Sequence, residues 1–130
     1  DTLYLAIGHN TNKHHFFSLE DRLNILKATF PVEKQLVVTS FTGLTVNFCK
    51  DVNAEFIIRG VRNTGDFELE KAILEMNKKL APGIETFLLT TDPIYTSISS
   101  TIVREIIRNS GDISEFVPAP AAKYIYEQTQ

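Results

Sequence analysis

Cysteine occurs once, tryptophan not at all, and no apolar run approaches the roughly 18 residues that a membrane span requires. The single Cys49 excludes an internal disulfide and agrees with a reducing, cytoplasmic setting. Its place in an apolar helical pattern marks it as a core residue rather than a nucleophile. Positive charge is also scarce: 13 Lys and Arg against 16 Asp and Glu give a formal net charge of -3. That balance argues against sequence-independent nucleic-acid binding and leaves the basic residues to a small anionic ligand. No signal peptide, basic tail, internal repeat or linker is visible. An initiator methionine is missing as well, since Asp1-Thr2 enters an apolar strand at once, and a preceding segment is expected. His9, His14 and His15 lack a carboxylate or thiolate in their loop, so a solvated loop is expected there and no metal site.

What is present suits one soluble globular domain over residues 1–130: 43% hydrophobic residues and a mean hydropathy of -0.05. A chain of this length buries about two-thirds of its unfolded surface. Leu3 to Ile7 is nearly continuous in apolar residues, the pattern of a strand covered on both faces, and Gly8 ends it. Ser18-Leu19-Glu20-Asp21 starts a helix with an acid at its third position, and Leu19, Leu23, Leu26 and Phe30 share a face until Pro31. Leu36-Val37-Val38 reads as a second strand, after which Gly43 opens a short helix carrying Leu44, Phe48 and Val52. Phe56-Ile57-Ile58 reads as a third strand. A longer helix from about Asp66 carries Leu69, Ala72, Ile73, Met76 and Leu80, and Pro82-Gly83 ends it. Thr86 to Leu89 gives a fourth strand, and Pro118 and Pro120 precede a terminal helix with Ala122 and Ile125. Such alternation predicts an α/β fold: a Rossmann-like, doubly wound parallel sheet with helices on both faces. Ligands of such sheets collect outside the carboxyl ends of the strands, where the strand-to-helix loops open.

The run from Tyr95 to Arg104 is the centre of that edge. A hydroxyl-rich loop becomes a helix at Ser99, Ser100 or Thr101, without an acid in the first turn, and Ile102, Val103, Ile106 and Ile107 supply a buried stripe. Free N–H groups and the positive end of the helix dipole make this an anion seat, although an ordinary N-cap is written with the same letters. Other loops on the edge hold Lys13, the backbone amides of 41–45, and Arg59 and Arg62. A guanidinium binds phosphate through a flat fork and an ammonium as a point charge, so together they suit more than one phosphate. Taken singly, each arginine is more often an ordinary surface charge, and the shared edge is what reverses that reading. Glu70 is either a favourable acid early in its helix or a hydrogen-bond acceptor for a ligand over Arg62.

Three motifs carry a family resemblance: Phe41-Thr42-Gly43-Leu44-Thr45-Val46, then Ile58-Arg59-Gly60-Val61-Arg62 with Asp66-Phe67-Glu68, and Ile98-Ser99-Ser100-Thr101-Ile102-Val103-Arg104. Over nearly its whole length the chain resembles the bacterial type of phosphopantetheine adenylyltransferase, in the nucleotidyltransferase superfamily. The third motif is shared across that superfamily, whereas the second points to this one enzyme. The resemblance implies adenylyl transfer from ATP to 4'-phosphopantetheine, with Mg²⁺, giving dephospho-coenzyme A and pyrophosphate. It assigns Lys13, Thr45 and Arg59 to phosphopantetheine. Gly60, Val61, Arg62, Glu70, Tyr95, Thr96, Ser97, Ile98, Ser99, Ser100 and Thr101 go to ATP, and Lys13 and Arg62 to catalysis. It further implies a hexamer and coenzyme A as a feedback ligand, with no nucleic-acid or membrane partner.

Members of the family begin with a strand, a Gly-Thr-Phe-Asp-Pro loop and a Thr/His-x-Gly-His motif, none of which is in this sequence. Roughly thirty residues, one strand and one helix, are therefore expected before Asp1, and the chain as it stands is expected to be catalytically incomplete. Two other readings remain open at this point. One is another nucleotidyltransferase, acting on nicotinate mononucleotide or transferring a cytidylyl group. The other is a non-catalytic nucleotide-binding domain, which would follow if Asp1 were the true start.

Overall fold

The computed structural model describes residues 1–32 and 34–130. Two compact units divide them, one made of residues 1–42 and 98–130, the other of residues 43–97.

In the first unit the apolar run becomes β1 (Leu3–Gly8), paired in parallel with β2 (Leu36–Phe41) from Leu3 opposite Leu36 to Gly8 opposite Phe41. A parallel pair needs a crossover, which α1 (Leu19–Thr29) supplies. Ser18 caps α1 as its spacing to Asp21 predicts: its Oγ accepts the Asp21 N–H at 3.0 Å and its hydroxyl donates to Asp21 Oδ2 at 2.6 Å. The remaining helices of this unit are α4 (Ser100–Arg108) and α5 (Ala119–Thr129). Ile113, Ala122 and Ile125 form its buried centre, with Phe17, Ile25, Val103, Ile106 and Ile107 packed around them. The Tyr124 hydroxyl ties α5 to α1 by donating to Asp21 Oδ1 at 3.0 Å and accepting from Asn24 Nδ2 at 3.1 Å. Hydrogen bonds from Ser18 and then Tyr124 hold the Asp21 carboxyl below the usual aspartate range. Two expected core positions, Phe30 and Ile102, are exposed instead. Phe30 is the C-cap, already leaving the helical face, and the α4 seam runs through Val103, Ile106 and Ile107.

The second unit holds α2 (Thr45–Asp51), β3 (Phe56–Val61), α3 (Thr64–Leu80) and β4 (Glu85–Thr90), followed by a 3₁₀ turn at Pro93–Tyr95. β3 and β4 are parallel, from Phe56 opposite Glu85 to Val61 opposite Thr90. Val46, Cys49, Ile57, Ala81 and Ile84 form its core, so Cys49 is the buried apolar residue that its setting predicts. Burial pushes the Cys49 thiol up, away from thiolate.

The α/β alternation with parallel strands stands as read from the sequence, but four boundaries move. β2 and β3 each run three residues past their apolar triplets because the ladder continues, with Arg59, Gly60 and Val61 paired against Leu88, Leu89 and Thr90. Arg59 is thus a strand residue rather than a loop residue. Gly43 precedes α2 instead of opening it; its φ of 82° is the left-handed turn that glycine adopts without strain. α3 begins at Thr64, because Asn63 caps it by accepting the Asp66 N–H at 2.9 Å. The apolar stripe expected on α3 does not mark its buried face: Leu69 is 62% exposed and Met76 45%, whereas Glu70 and Asn77 are buried. Phe56 and Ile58 of β3 lie on one sheet face with Phe87 and Leu89 of β4, and all four are exposed.

Ser18→Ala should lower stability by about 1 kcal/mol, the usual contribution of an N-cap hydroxyl. Urea unfolding checks this: the midpoint should fall with the slope unchanged, and an unmoved midpoint would mean that α1 does not depend on its cap.

Candidate active site

Strand geometry places Arg59. Ile57, Arg59 and Val61 alternate onto the face where Ile57 and Val61 are buried, and there the guanidinium meets α3. Its Nε donates to Glu70 Oε2 at 2.9 Å and its Nη2 to Oε1 at 2.8 Å, a two-pronged pair that raises the arginine further above its ordinary range. Glu70 is 9% exposed and would be a poor tenant of that interior without this partner. Of the two sequence readings of Glu70, neither names its partner, which is Arg59.

Arg62 follows the end of β3 and is held at the mouth of α3. Its Nε donates to Asp66 Oδ2 at 2.9 Å, its Nη2 to Oδ1 at 3.3 Å, and its backbone N–H to Oδ2 at 3.1 Å. Those bonds, the side-chain bond first, hold the Asp66 carboxyl below the usual range and raise Arg62. Gly60 and Val61 lie between the two arginines in the strand, and the Val61 carbonyl accepts the Thr91 N–H at 3.0 Å and the Thr91 hydroxyl at 3.1 Å. Thr45 is the first residue of α2. Tyr95 ends the 3₁₀ turn and is exposed, and Thr96 is its C-cap. Ser97 closes this unit.

In the first unit, Ile98 leads into α4, and of the three possible caps Ser99 is the one used: its Oγ accepts the Ile102 N–H at 3.2 Å. Ser100 and Thr101 then sit in the first turn, where N–H groups have no intrahelical acceptor, and no acid shares that turn. The Thr101 hydroxyl accepts from Arg104 Nη2 at 3.2 Å. The start of α4 thus combines a serine cap with a first turn that carries no acid.

Lys13 lies in the loop between β1 and α1, where Asn10 shapes the backbone by accepting the Asn12 N–H on its side chain and the Lys13 N–H on its carbonyl. The loop borders an open cavity of about 310 Å³, lined by Lys13, His9, His14, His15 and Arg22. Among the described residues Lys13 has no carboxylate partner.

Two neighbours of the predicted residues were not singled out in the sequence for the contacts they make. Asp66 was readable as the acid four residues beyond Arg62, a pairing distance along a helix. Arg22 offered only its place in the first turn of α1. Each unit thus presents cations and hydrogen-bond donors suited to phosphate groups.

A family model described as cytidylyltransferase-like matches residues 1–106. The phosphopantetheine adenylyltransferase of Flavobacterium psychrophilum is 49% identical over 118 residues, 91% of this chain and 78% of that protein. That of Bacteroides fragilis is 44% identical over the same shares, and that of Staphylococcus carnosus 39% over 98% of this chain and 80% of its own. By the extent and level of that identity, the chain belongs to the phosphopantetheine adenylyltransferase family, within the cytidylyltransferase-like proteins.

Proposed function

We propose that the protein transfers the adenylyl group of ATP to 4'-phosphopantetheine, a step of coenzyme A biosynthesis. The observation that carries this reading is the 49% identity to a phosphopantetheine adenylyltransferase across 91% of the chain. In the reaction a phosphate oxygen of the acceptor forms a bond to the α-phosphorus of ATP while the bond to the β-phosphate oxygen breaks. Dephospho-coenzyme A forms and pyrophosphate leaves with the electron pair. Phosphoryl chemistry of this kind needs alignment and charge stabilisation more than covalent participation.

Lys13 and Arg59 are assigned to the phosphate of phosphopantetheine, and Thr45 to the same substrate. Arg62, Gly60, Val61, Glu70 and the stretch from Tyr95 to Thr101 hold ATP. The support for these roles is chemical: two guanidinium groups fixed by carboxylates, an exposed ammonium without an acid partner among the described residues, and an acid-free helix start. Lys13 and Arg62 act on the charge that develops during transfer. Among the described residues no cluster of three or more His, Cys, Asp or Glu fits a metal ion. Mg²⁺ would enter with ATP, bound through the triphosphate. The reading extends to one nucleotidyltransferase domain over residues 1–130, a cytoplasmic location, a homohexamer, and coenzyme A as a feedback ligand. No helix among the described residues is long and apolar enough to cross a membrane. The outward-facing Leu69, Met76 and Leu80 on α3 supply apolar surface that assembly could cover.

The intact protein should release pyrophosphate from ATP when given phosphopantetheine. Turnover with nicotinate mononucleotide and none with phosphopantetheine would overturn the reading. Steady-state kinetics of three variants tests the roles. Lys13→Ala should lower kcat about a hundredfold with little change in ATP affinity, the scale of losing one charge-stabilising donor. Arg62→Ala should also lower kcat, while Arg59→Ala should act mainly on the KM for phosphopantetheine. An unchanged rate in Lys13→Ala returns that residue to the solvated surface, and a rise only in the KM for ATP in both arginine variants would remove their assignment.

A further inference from the structure

The cavity beside the loop that follows β1 has a one-sided lining. His9, Lys13, His14, His15 and Arg22 border it, and no acidic residue does. Arg59, Arg62 and Arg108 each pair with a carboxylate, and Arg104 donates to the Thr101 hydroxyl. Among the described residues Arg22 has no carboxylate partner. Its Nε points at the Ser18 carbonyl at 3.4 Å, and its Nη2 lies 3.5 Å from His9 Nδ1, both at the outer limit of a hydrogen bond. The residue is half-buried, and no carboxylate lies within ion-pair distance of its guanidinium among the described residues.

We propose that Arg22 is an anion-holding residue of this cavity, gripping together with Lys13 the phosphate monoester of the acceptor substrate. The two cations are complementary in kind. Arg22 offers a flat fork oriented by its contacts at the start of α1, and Lys13 an ammonium on an exposed loop that can follow the phosphate. The bound dianion would supply the counter-charge that Arg22 lacks. Arg22 also lies in the first turn of α1, where the helix dipole favours negative charge. The identity of the anion rests on the functional reading above; the anion-holding role of Arg22 rests on the cavity itself.

All three histidines of the chain line this cavity, so their imidazole C2–H signals in a proton NMR spectrum report on it alone. The protein is titrated at constant pH and ionic strength with inorganic phosphate, with 4'-phosphopantetheine, and with a non-hydrolysable ATP analogue. Phosphate and phosphopantetheine should move the histidine signals. Arg22→Gln should weaken both by about tenfold or more, the scale of losing one charge-assisted contact, while leaving ATP-analogue binding by calorimetry unchanged. Arg22→Lys, which keeps the charge but not the fork, should fall between, and an unchanged thermal midpoint shows that both variants fold.

Equal phosphate affinity in wild type and Arg22→Gln, or histidine signals indifferent to phosphate, overturns the proposal. Loss of ATP-analogue binding in Arg22→Gln overturns its assignment to the acceptor, because the anion is then the nucleotide's. If phosphate responds and phosphopantetheine does not, the anion-holding role stands and the functional reading of the acceptor fails.

Discussion

The contact between Arg59 and Glu70 is the constraint on which the second unit turns. Glu70 and Asn77 are the buried polar residues among those described, and Glu70 carries charge. A carboxylate removed from water costs several kcal/mol unless its partner and geometry are good. The double-pronged bond at 2.9 and 2.8 Å meets that condition and joins the middle of β3 to the second turn of α3. The rotation of α3 follows: with Glu70 turned inward, Asn77 and Ala81 come in at helical spacing, and Leu69, Met76 and Leu80 face out. The same bond fixes the direction of the Arg59 guanidinium.

Charge is held in two ways along the chain. Arg59 and Arg62 are each tied to an acid of α3, which keeps their geometry at the cost of part of their field. Lys13 and Arg22, beside the loop after β1, have no carboxylate near enough to pair among the described residues and keep their full charge. Fixed forks suit alignment of a substrate, whereas an ammonium on an exposed loop suits charge that shifts during the transfer. The Ser99 cap adds a third kind of donor, the backbone N–H groups at the start of α4.

Much of the fold was legible because its determinants are local. The cap at Ser18 with Asp21 three residues on, the acid-free start at Ser99 and the proline-led terminal helix all follow from short-range hydrogen bonding. Strand ends were not legible, because β2 and β3 are extended by their partners across the ladder rather than by their own residues. The buried face of α3 was misread for a deeper reason: an apolar stripe marks a buried face only when nothing stronger sets the rotation, and here an ion pair does. Arg59 and Arg62 could be named from their motif, and Lys13 from its place in a strand-to-helix loop. Arg22 could not, since a lone arginine in a first helical turn looks like any surface charge until the cavity beside it is seen.

A double-mutant cycle on Arg59→Met and Glu70→Met, followed by urea unfolding, measures the central contact directly. Each single variant leaves one charge without its partner, whereas the double variant leaves none. Because the Arg59 side chain is 54% exposed, solvent screens part of the attraction, and the expected coupling is about 1–2 kcal/mol. Each single variant should then be less stable than additivity with the double allows. Single losses that sum to the double within about 0.3–0.5 kcal/mol would mean that the pair does not hold β3 to α3.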